Sequence, residues 1–463
     1  MECHDAVNIL LTISSSAQAH ELLSTKPEFS EQPSQNSHVT QQEPHRHHAV
    51  DVECRKSAWV CVLGSFLFLM PSFGFMQSSG AVQSILLENQ LRDYSARDVG
   101  WITGVYSFLT MLLGIQAGPL MDVYGPRFLG PLATGLLVLM FFVLAECAKI
   151  WQFILCLGVL GGIGNAIATT VGIAVIGKLF NRRKGLALGI ALSGSSTGGI
   201  IFPLVLRQTF PLWGWAWSMR AVGFLAVLIQ SLGIACLLPF ERLHATIDSD
   251  RVSTKRSRRR AVMDFSAFHS LPFSLICGAI ALLEFVIFGA TAILPTLVAL
   301  SGLPIEHGFN MLAILNGFSS LGRILPGVVG DRLGHYNILL VMIVFTIICT
   351  AATLTTFGST RIEALYAFSA LWGFGTGSFL SLAPACVAKT CELKDYGRYY
   401  GTMNFVISFS LLLTMPIGGQ MLQSLGPTAL SGLYLAVVFA GGIFVYAGRS
   451  VVVGSWTNFR ERM

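Results

Sequence analysis

Long apolar runs are the feature that most constrains this chain. A helix needs about 20 apolar residues to cross ~30 Å of hydrocarbon, and backbone groups in lipid must be paired within the segment. Only 12% of the residues are charged, against roughly 25% in soluble domains. This composition excludes an ordinary soluble enzyme and a nucleic-acid-binding protein. Twelve membrane helices are predicted, at 57–77, 99–118, 127–147, 151–177, 185–206, 217–240, 270–300, 309–330, 337–357, 361–387, 401–423 and 429–450.

A single long connection divides the predicted spans into six and six. It is strongly basic, whereas the chain before the first span is polar and rich in Ser, Gln and His, a composition typical of disorder. The predicted organisation is a disordered N-terminal tail 1–56, a six-helix half 57–240, a basic loop 241–268, a second six-helix half 269–450 and a tail 451–463.

The distribution of Lys and Arg predicts the orientation. These residues are concentrated in the loops that follow the even-numbered spans, and such loops lie on the cytoplasmic side. Both tails and the loop 241–268 are therefore predicted to be cytoplasmic. We expect a multi-pass protein of the plasma membrane, with a vacuolar or other internal membrane as the alternative.

A short pattern at the end of the second span recurs at the end of the eighth. Glycine permits close approach and a tight turn, and an aspartate can accept bonds from N–H groups at a nearby helix N-terminus. The arginines can bridge to a carboxylate or to membrane lipid. We predict that both copies are conformational latches, formed by Gly118, Asp122, Gly125 and Arg127 and by Gly327, Asp331, Arg332 and Gly334.

The motif Gly118-x-x-x-Asp122-x-x-Gly125-x-Arg127 resembles the loop signature of the major facilitator superfamily. Residues 177–199 and 314–327 are similar to signatures of its monocarboxylate porters, the latter to the fungal branch. The resemblance implies an all-α membrane protein with 12 transmembrane helices in two pseudo-symmetric six-helix halves. It also implies transport by alternating access through a site between the halves.

The resemblance also assigns a residue to the substrate. In animal monocarboxylate porters an arginine of the eighth span binds the substrate carboxylate, and Arg323 matches that position. An aspartate one turn earlier and a lysine in the first span serve proton coupling in those relatives. Here Ser319 stands four residues before Arg323, and no lysine occurs near Gln77. Proton-coupled lactate transport therefore does not carry over to this chain.

Two ionisable residues, Arg323 and Glu284, lie deep inside predicted spans, where a charge is costly and by default functional. Arg323 keeps its charge, and its planar fork suits a carboxylate. It is predicted to bind substrate, with an internal ion pair as the alternative. Glu284 is a candidate for the coupling proton or a partner of Arg323, unless it lies nearer the surface. Asn316, Gln77 and Asn404 are predicted to line the cavity, although amides also join helices.

The predicted function is secondary transport of a small organic acid, anion or related metabolite, with proton linkage left open. Export of a fungal secondary metabolite is one alternative, and a non-transporting sensor on the same fold is another. No phosphate-binding GxxxxGK[ST] loop occurs, so ATP is not expected to drive transport. We expect no catalytic residue, cofactor, metal or nucleic-acid partner, and a monomer suffices for a complete site.

Overall fold

The computed structural model describes residues 55–180, 183–248, 265–300, 302, 304–355, 361–391 and 396–456. Most of the predicted tail 1–56, much of the loop 241–268 and the end of the tail 451–463 lie outside these residues. The predicted all-α fold is confirmed, because the described residues form helices and no strand. The α-helices are α1 Lys56–Leu69, α2 Phe73–Gln77, α3 Ser79–Glu88, α4 Ala96–Leu144, α5 Ile150–Phe153, α6 Gly162–Leu179, α7 Lys184–Leu237, α8 Phe240–Asp248, α9 Leu271–Leu300, α10 Ile305–Leu333, α11 His335–Thr350, α12 Ile362–Ala388 and α13 Tyr396–Val453.

The first span is longer than predicted and is broken. The predicted range 57–77 was too short, because helical structure continues through α2 and α3 to Glu88. Pro71 cannot donate a backbone hydrogen bond, and the helix is interrupted around it. A second interruption falls at Ser78, which has φ −91° and ψ 4°. The sequence pattern missed the extension because Ser and Gln replace apolar residues after position 77.

Three helices are far longer than a single crossing of a bilayer requires. The helices α4, α7 and α13 contain 49, 54 and 58 residues, and a straight helix of 54 residues would be ~80 Å long. Each contains one glycine with φ between 67° and 81° and ψ close to 180°, a conformation essentially reserved for glycine. These glycines, which separate two helices in each case, are Gly125, Gly214 and Gly426.

Nine helices of the described residues are long and apolar enough to span a membrane. Two of the nine, 185–245 and 399–453, contain Gly214 and Gly426 and so count as two helices each. The broken first helix lies outside the nine. The number of twelve membrane spans stays a prediction. The division of these two helices at Gly214 and Gly426 supports it.

The N-terminal helices α1–α8 meet the C-terminal helices α9–α13 along closely packed pairs. The first part of α7 packs on α10, the first part of α4 on the first part of α13, and α3 on α9. Glycines allow the close approach: a Cβ built at Gly104 would lie 2.8 Å from the Leu412 carbonyl oxygen, and one at Gly80 would lie 2.6 Å from that of Ala292. The pair of α7 and α10 carries the site described next.

Candidate substrate and coupling site

The centre of the site is Arg323 on α10. Its side chain is fully buried, at 0% exposure. The preceding residue, Gly322, lies against the backbone of Phe374 on α12. Because successive residues of a helix are ~100° apart, Arg323 points away from α12 and reaches α7.

One nitrogen of Arg323 is bonded to α7. Its Nη1 atom donates to the carbonyl oxygen of Leu192 at 2.5 Å and to the hydroxyl of Ser195. The Ser195 hydroxyl itself donates to the Leu192 carbonyl at 2.9 Å. The guanidinium is therefore fixed at one corner by two groups from the N-terminal helices.

The opposite edge of the same guanidinium is unpaired. Neither Nε nor Nη2 of Arg323 has a hydrogen-bond partner among the described residues, and both atoms are buried. These two nitrogens form an edge that matches the two oxygens of a carboxylate. A buried charge left in this state costs several kcal/mol, so the edge is suited to an acidic group that arrives from elsewhere.

Glu284 on α9 is the second buried ionisable residue of the site. It is 8% exposed, and its Oε2 atom has no hydrogen-bond partner in the described part of the chain. It interacts electrostatically with Arg323, although no ion pair or hydrogen bond joins these two described side chains. The two side chains therefore lie close enough to interact, without a direct contact between them.

Asn404 is connected to Glu284 through a tyrosine. It is half-buried on α13, and its side chain interacts with that of Tyr400, which interacts electrostatically with Glu284. The sequence reasoning missed Tyr400. Its spacing of four residues from Asn404, one helical turn, is the signal that would have identified it.

The other two predicted amides are also buried. Asn316 on α10 donates from Nδ2 to the carbonyl oxygens of Leu312, at 3.0 Å, and of Gly199 on α7, at 3.3 Å. Gln77 ends α2 at 3% exposure and is not bonded to Arg323 or Glu284 among the described residues. Asn316 thus joins the two sets of helices, whereas the structure connects Gln77 to neither charge.

The second predicted latch lies against α7. A Cβ built at Gly185 would lie 2.7 Å from Oδ1 and 2.8 Å from Oδ2 of Asp331, so the carboxylate occupies the space beside the first turn of α7. Asp331 Oδ1 also pairs with Nε2 of His335 at 3.1 Å. Gly334 separates α10 from α11 with φ 96°. A Cβ at Gly327 would lie 3.4 Å from the Gly185 carbonyl oxygen.

The first predicted latch has different surroundings. Arg127 lies 3.9 Å from Glu241, a residue of the same N-terminal helices, and both side chains are exposed. A Cβ at Gly118 would have no neighbour within 4 Å. The side chain of Asp122 lies outside the described residues. Arg332 of the second copy is exposed and lines a cavity of about 590 Å³ with Lys389.

Comparison with known proteins identifies the family. The model of the Major Facilitator Superfamily matches residues 57–360 and 318–462. The chain is 29% identical over 400 residues to the aspyridones efflux protein apdF of Emericella nidulans, covering 85% of this chain and 78% of that protein. It is 30% identical over 420 residues to the riboflavin transporter MCH5 of Saccharomyces cerevisiae, covering 87% and 80%.

A third relative, the agnestins efflux protein AgnL12 of Paecilomyces divaricatus, is 28% identical over 392 residues, which cover 85% of this chain and 87% of that protein. Members of the matched family are integral membrane proteins that move small molecules across the bilayer. From the family match and its apolar helices, this chain belongs to the major facilitator superfamily and is a multi-pass membrane transporter.

Proposed function

We propose that the protein is a secondary transporter of a small organic acid or acidic metabolite that binds to the Nε–Nη2 edge of Arg323. The observation that carries this proposal is the unpaired buried edge of the guanidinium. A carboxylate or enolate supplies the oxygens that this edge lacks. In a site shielded from water such a charge-assisted contact is stronger than in solvent.

The resemblance to monocarboxylate porters supports the acidic group but not a particular acid. Ser319 replaces the aspartate that those relatives use. Two of the relatives compared are named as efflux proteins, for aspyridones and for agnestins. These names favour a second candidate function, the export of a secondary metabolite through the same site.

Glu284 is the proposed proton carrier. It is buried, it is close enough to interact with Arg323, and its Oε2 atom is unpaired. A substrate anion on Arg323 neutralises the guanidinium and removes the positive charge that favours ionised Glu284. Binding of the anion thereby favours a proton on Glu284, so that the two cross the membrane together.

We further propose that the site lies between two six-helix halves, 57–240 and 269–450, with both termini on the cytoplasmic side of the plasma membrane. The bias of Lys and Arg towards one set of loops supports this orientation. Under it, the contact of Asp331 with α7 is the cytoplasmic latch.

The test is uptake and efflux of labelled acetate, lactate and benzoate in cells that lack their own acid carriers. Wild type is compared with Arg323→Ala and Arg323→Lys. We expect Arg323→Ala to lose transport by on the order of a hundredfold, because it removes the charge. We expect Arg323→Lys to retain little, because an ammonium lacks the planar fork.

Arg97→Ala is the control for loss of an arginine, since Arg97 is exposed and pairs only with its neighbour Asp98 among the described residues. Surface expression of every variant is measured in parallel. Transport that survives Arg323→Ala at wild-type rates contradicts the anion site. Efflux without uptake supports the exporter.

A further inference from the structure

Polar contacts between α7 and α10 follow a common register. On α10, the donors Asn316 and Arg323 are seven residues apart; on α7, the accepting carbonyls of Leu192 and Gly199 are also seven apart. Seven residues are about two helical turns. The two helices run antiparallel, so each donor meets one carbonyl. Arg323 is therefore held by a repeated pattern across the contact between the two sets of helices.

Ser195 is the one side chain that bonds Arg323 among the described residues. Its hydroxyl accepts from Nη1 and donates to the Leu192 carbonyl. With the corner at Nη1 fixed by two acceptors, rotation of the planar guanidinium about its long axis is blocked. The plane then determines the direction in which the unpaired Nε–Nη2 edge points.

We propose that Ser195 is a positioning residue of the anion site, contributed by the helices opposite Arg323. It holds the Nε–Nη2 edge in the orientation that receives the two oxygens of the substrate. This inference rests on the proposed function and adds that recognition of the anion needs both sets of helices.

A neighbouring serine provides a matched control. Ser196 lies next to Ser195 on α7 and is equally buried, at 0% exposure. Its hydroxyl has no hydrogen-bond partner among the described residues. The substitutions Ser195→Ala and Ser196→Ala therefore delete the same atom at the same depth in the same helix, and only the first removes a contact of Arg323.

The first measurement is concentration-dependent transport of whichever labelled acid, acetate, lactate or benzoate, wild type moves fastest. We expect Ser195→Ala to raise KM by about tenfold, the effect of losing a hydrogen bond to a charged group, with little change in the maximal rate. We expect Ser196→Ala to stay within about twofold of wild type. Ser195→Thr, which keeps a hydroxyl, should restore most of the affinity.

The second measurement needs no substrate. The full chain is purified in detergent, and thermal unfolding is followed for both alanine variants. We expect Ser195→Ala to lower Tm, because it removes an acceptor from a buried charge. We expect Ser196→Ala to leave Tm unchanged or raise it, because it removes a buried hydroxyl that lacks a partner.

The outcomes separate the two proposals. Equal KM values for Ser195→Ala and Ser196→Ala, in a protein whose transport depends on Arg323, overturn the positioning role alone. Equal Tm values for the two variants also overturn the positioning role of Ser195 alone. Transport that is independent of Arg323 overturns the proposed function itself. Wild-type protein at the cell surface that moves none of the three acids overturns the transport of a small organic acid, and the Tm comparison then still decides whether Ser195 holds Arg323.

Discussion

The Nη2 atom of Arg207 lies 2.9 Å from Oε2 of Glu306, and its Nη1 atom donates to Oδ1 of Asn310 at 2.8 Å. Arg207 belongs to α7, and its two partners lie in the first two turns of α10. The same two helices meet at Arg323 in their middle and at Asp331 near the other end. The first part of α7 thus contacts α10 near both ends and in the middle of α10.

The pair of Arg207 and Glu306 is expected to hold this end of the two helices together during transport. We predict that Arg207→Glu or Glu306→Arg reduces transport severalfold, because like charges ~3 Å apart repel. The double variant should recover part of the loss. Tm should change little, because Glu306 is 63% exposed and such pairs contribute at most about 1 kcal/mol.

The measurement is initial rate of acid uptake, corrected for the amount of protein at the cell surface. Arg97→Glu controls for charge reversal at an exposed arginine on a neighbouring helix. Single reversals that leave the rate unchanged, or a double variant no better than either single, contradict the prediction.

The Asp331 carboxylate fills the space that a side chain at position 185 would occupy. Gly185→Ala places a methyl group 2.7 Å from Oδ1 of Asp331, so either the carboxylate must turn away from α7 or the two helices must separate. We expect a loss of about 1–3 kcal/mol in the free energy of unfolding, the usual cost of overpacking, together with a lower transport rate.

Gly177→Ala is the matched control, since a Cβ there has no neighbour within 4 Å. Alanine is a better helix former than glycine by roughly 0.5–1 kcal/mol, so this variant should be as stable as wild type or more so. Thermal unfolding in detergent and initial transport rates provide the comparison. Equal behaviour of the two variants would show that Asp331 moves aside at no cost.

Transport is expected to depend on pH through Glu284. If this carboxyl carries the coupling proton, uptake of the acid anion should be faster at pH 5 than at pH 7 in wild type. A single titrating proton changes a rate by at most about tenfold per pH unit. Glu284→Gln removes the titrating group and should abolish the difference between the two pH values.

Rates at the two pH values are compared at equal concentrations of the ionised acid. Glu146→Gln is the control, because Glu146 is an exposed carboxylate paired with Arg220 at 2.5 Å. A pH response that survives in Glu284→Gln would assign proton coupling to another group.

The turn within α7 depends on a glycine conformation. Gly214 has φ 68° and ψ −176°, where other residues are strained by about 1–3 kcal/mol. A Cβ at this position would meet no atom within 4 Å, so Gly214→Ala tests the backbone alone. We predict a lower Tm. Gly135→Ala on α4, also without a neighbour within 4 Å, should not lower Tm; equal shifts would contradict the assigned turn.

Much of the fold follows from the sequence, because the ability to cross a bilayer depends on apolar length within one segment. The sequence predicts a tight turn at Gly125 and at Gly334, and the structure has both at a positive φ, 67° and 96°. The extension of the first span to Glu88 was missed, because its serines and glutamine are buried between helices rather than in lipid. Hydropathy along a segment does not show whether lipid or another helix surrounds that segment.

For the candidate site, too, part follows from the sequence and part from the tertiary structure. By itself the sequence determined that this is a helical membrane transporter and that Arg323 is a costly charge within a span. The tertiary structure decided that Nη1 meets Ser195, 128 positions away, and that Nε and Nη2 stay unpaired. Apolar length is a local property of the chain, whereas a hydrogen-bond partner depends on the rotation and register of two packed helices, which neither helix specifies alone.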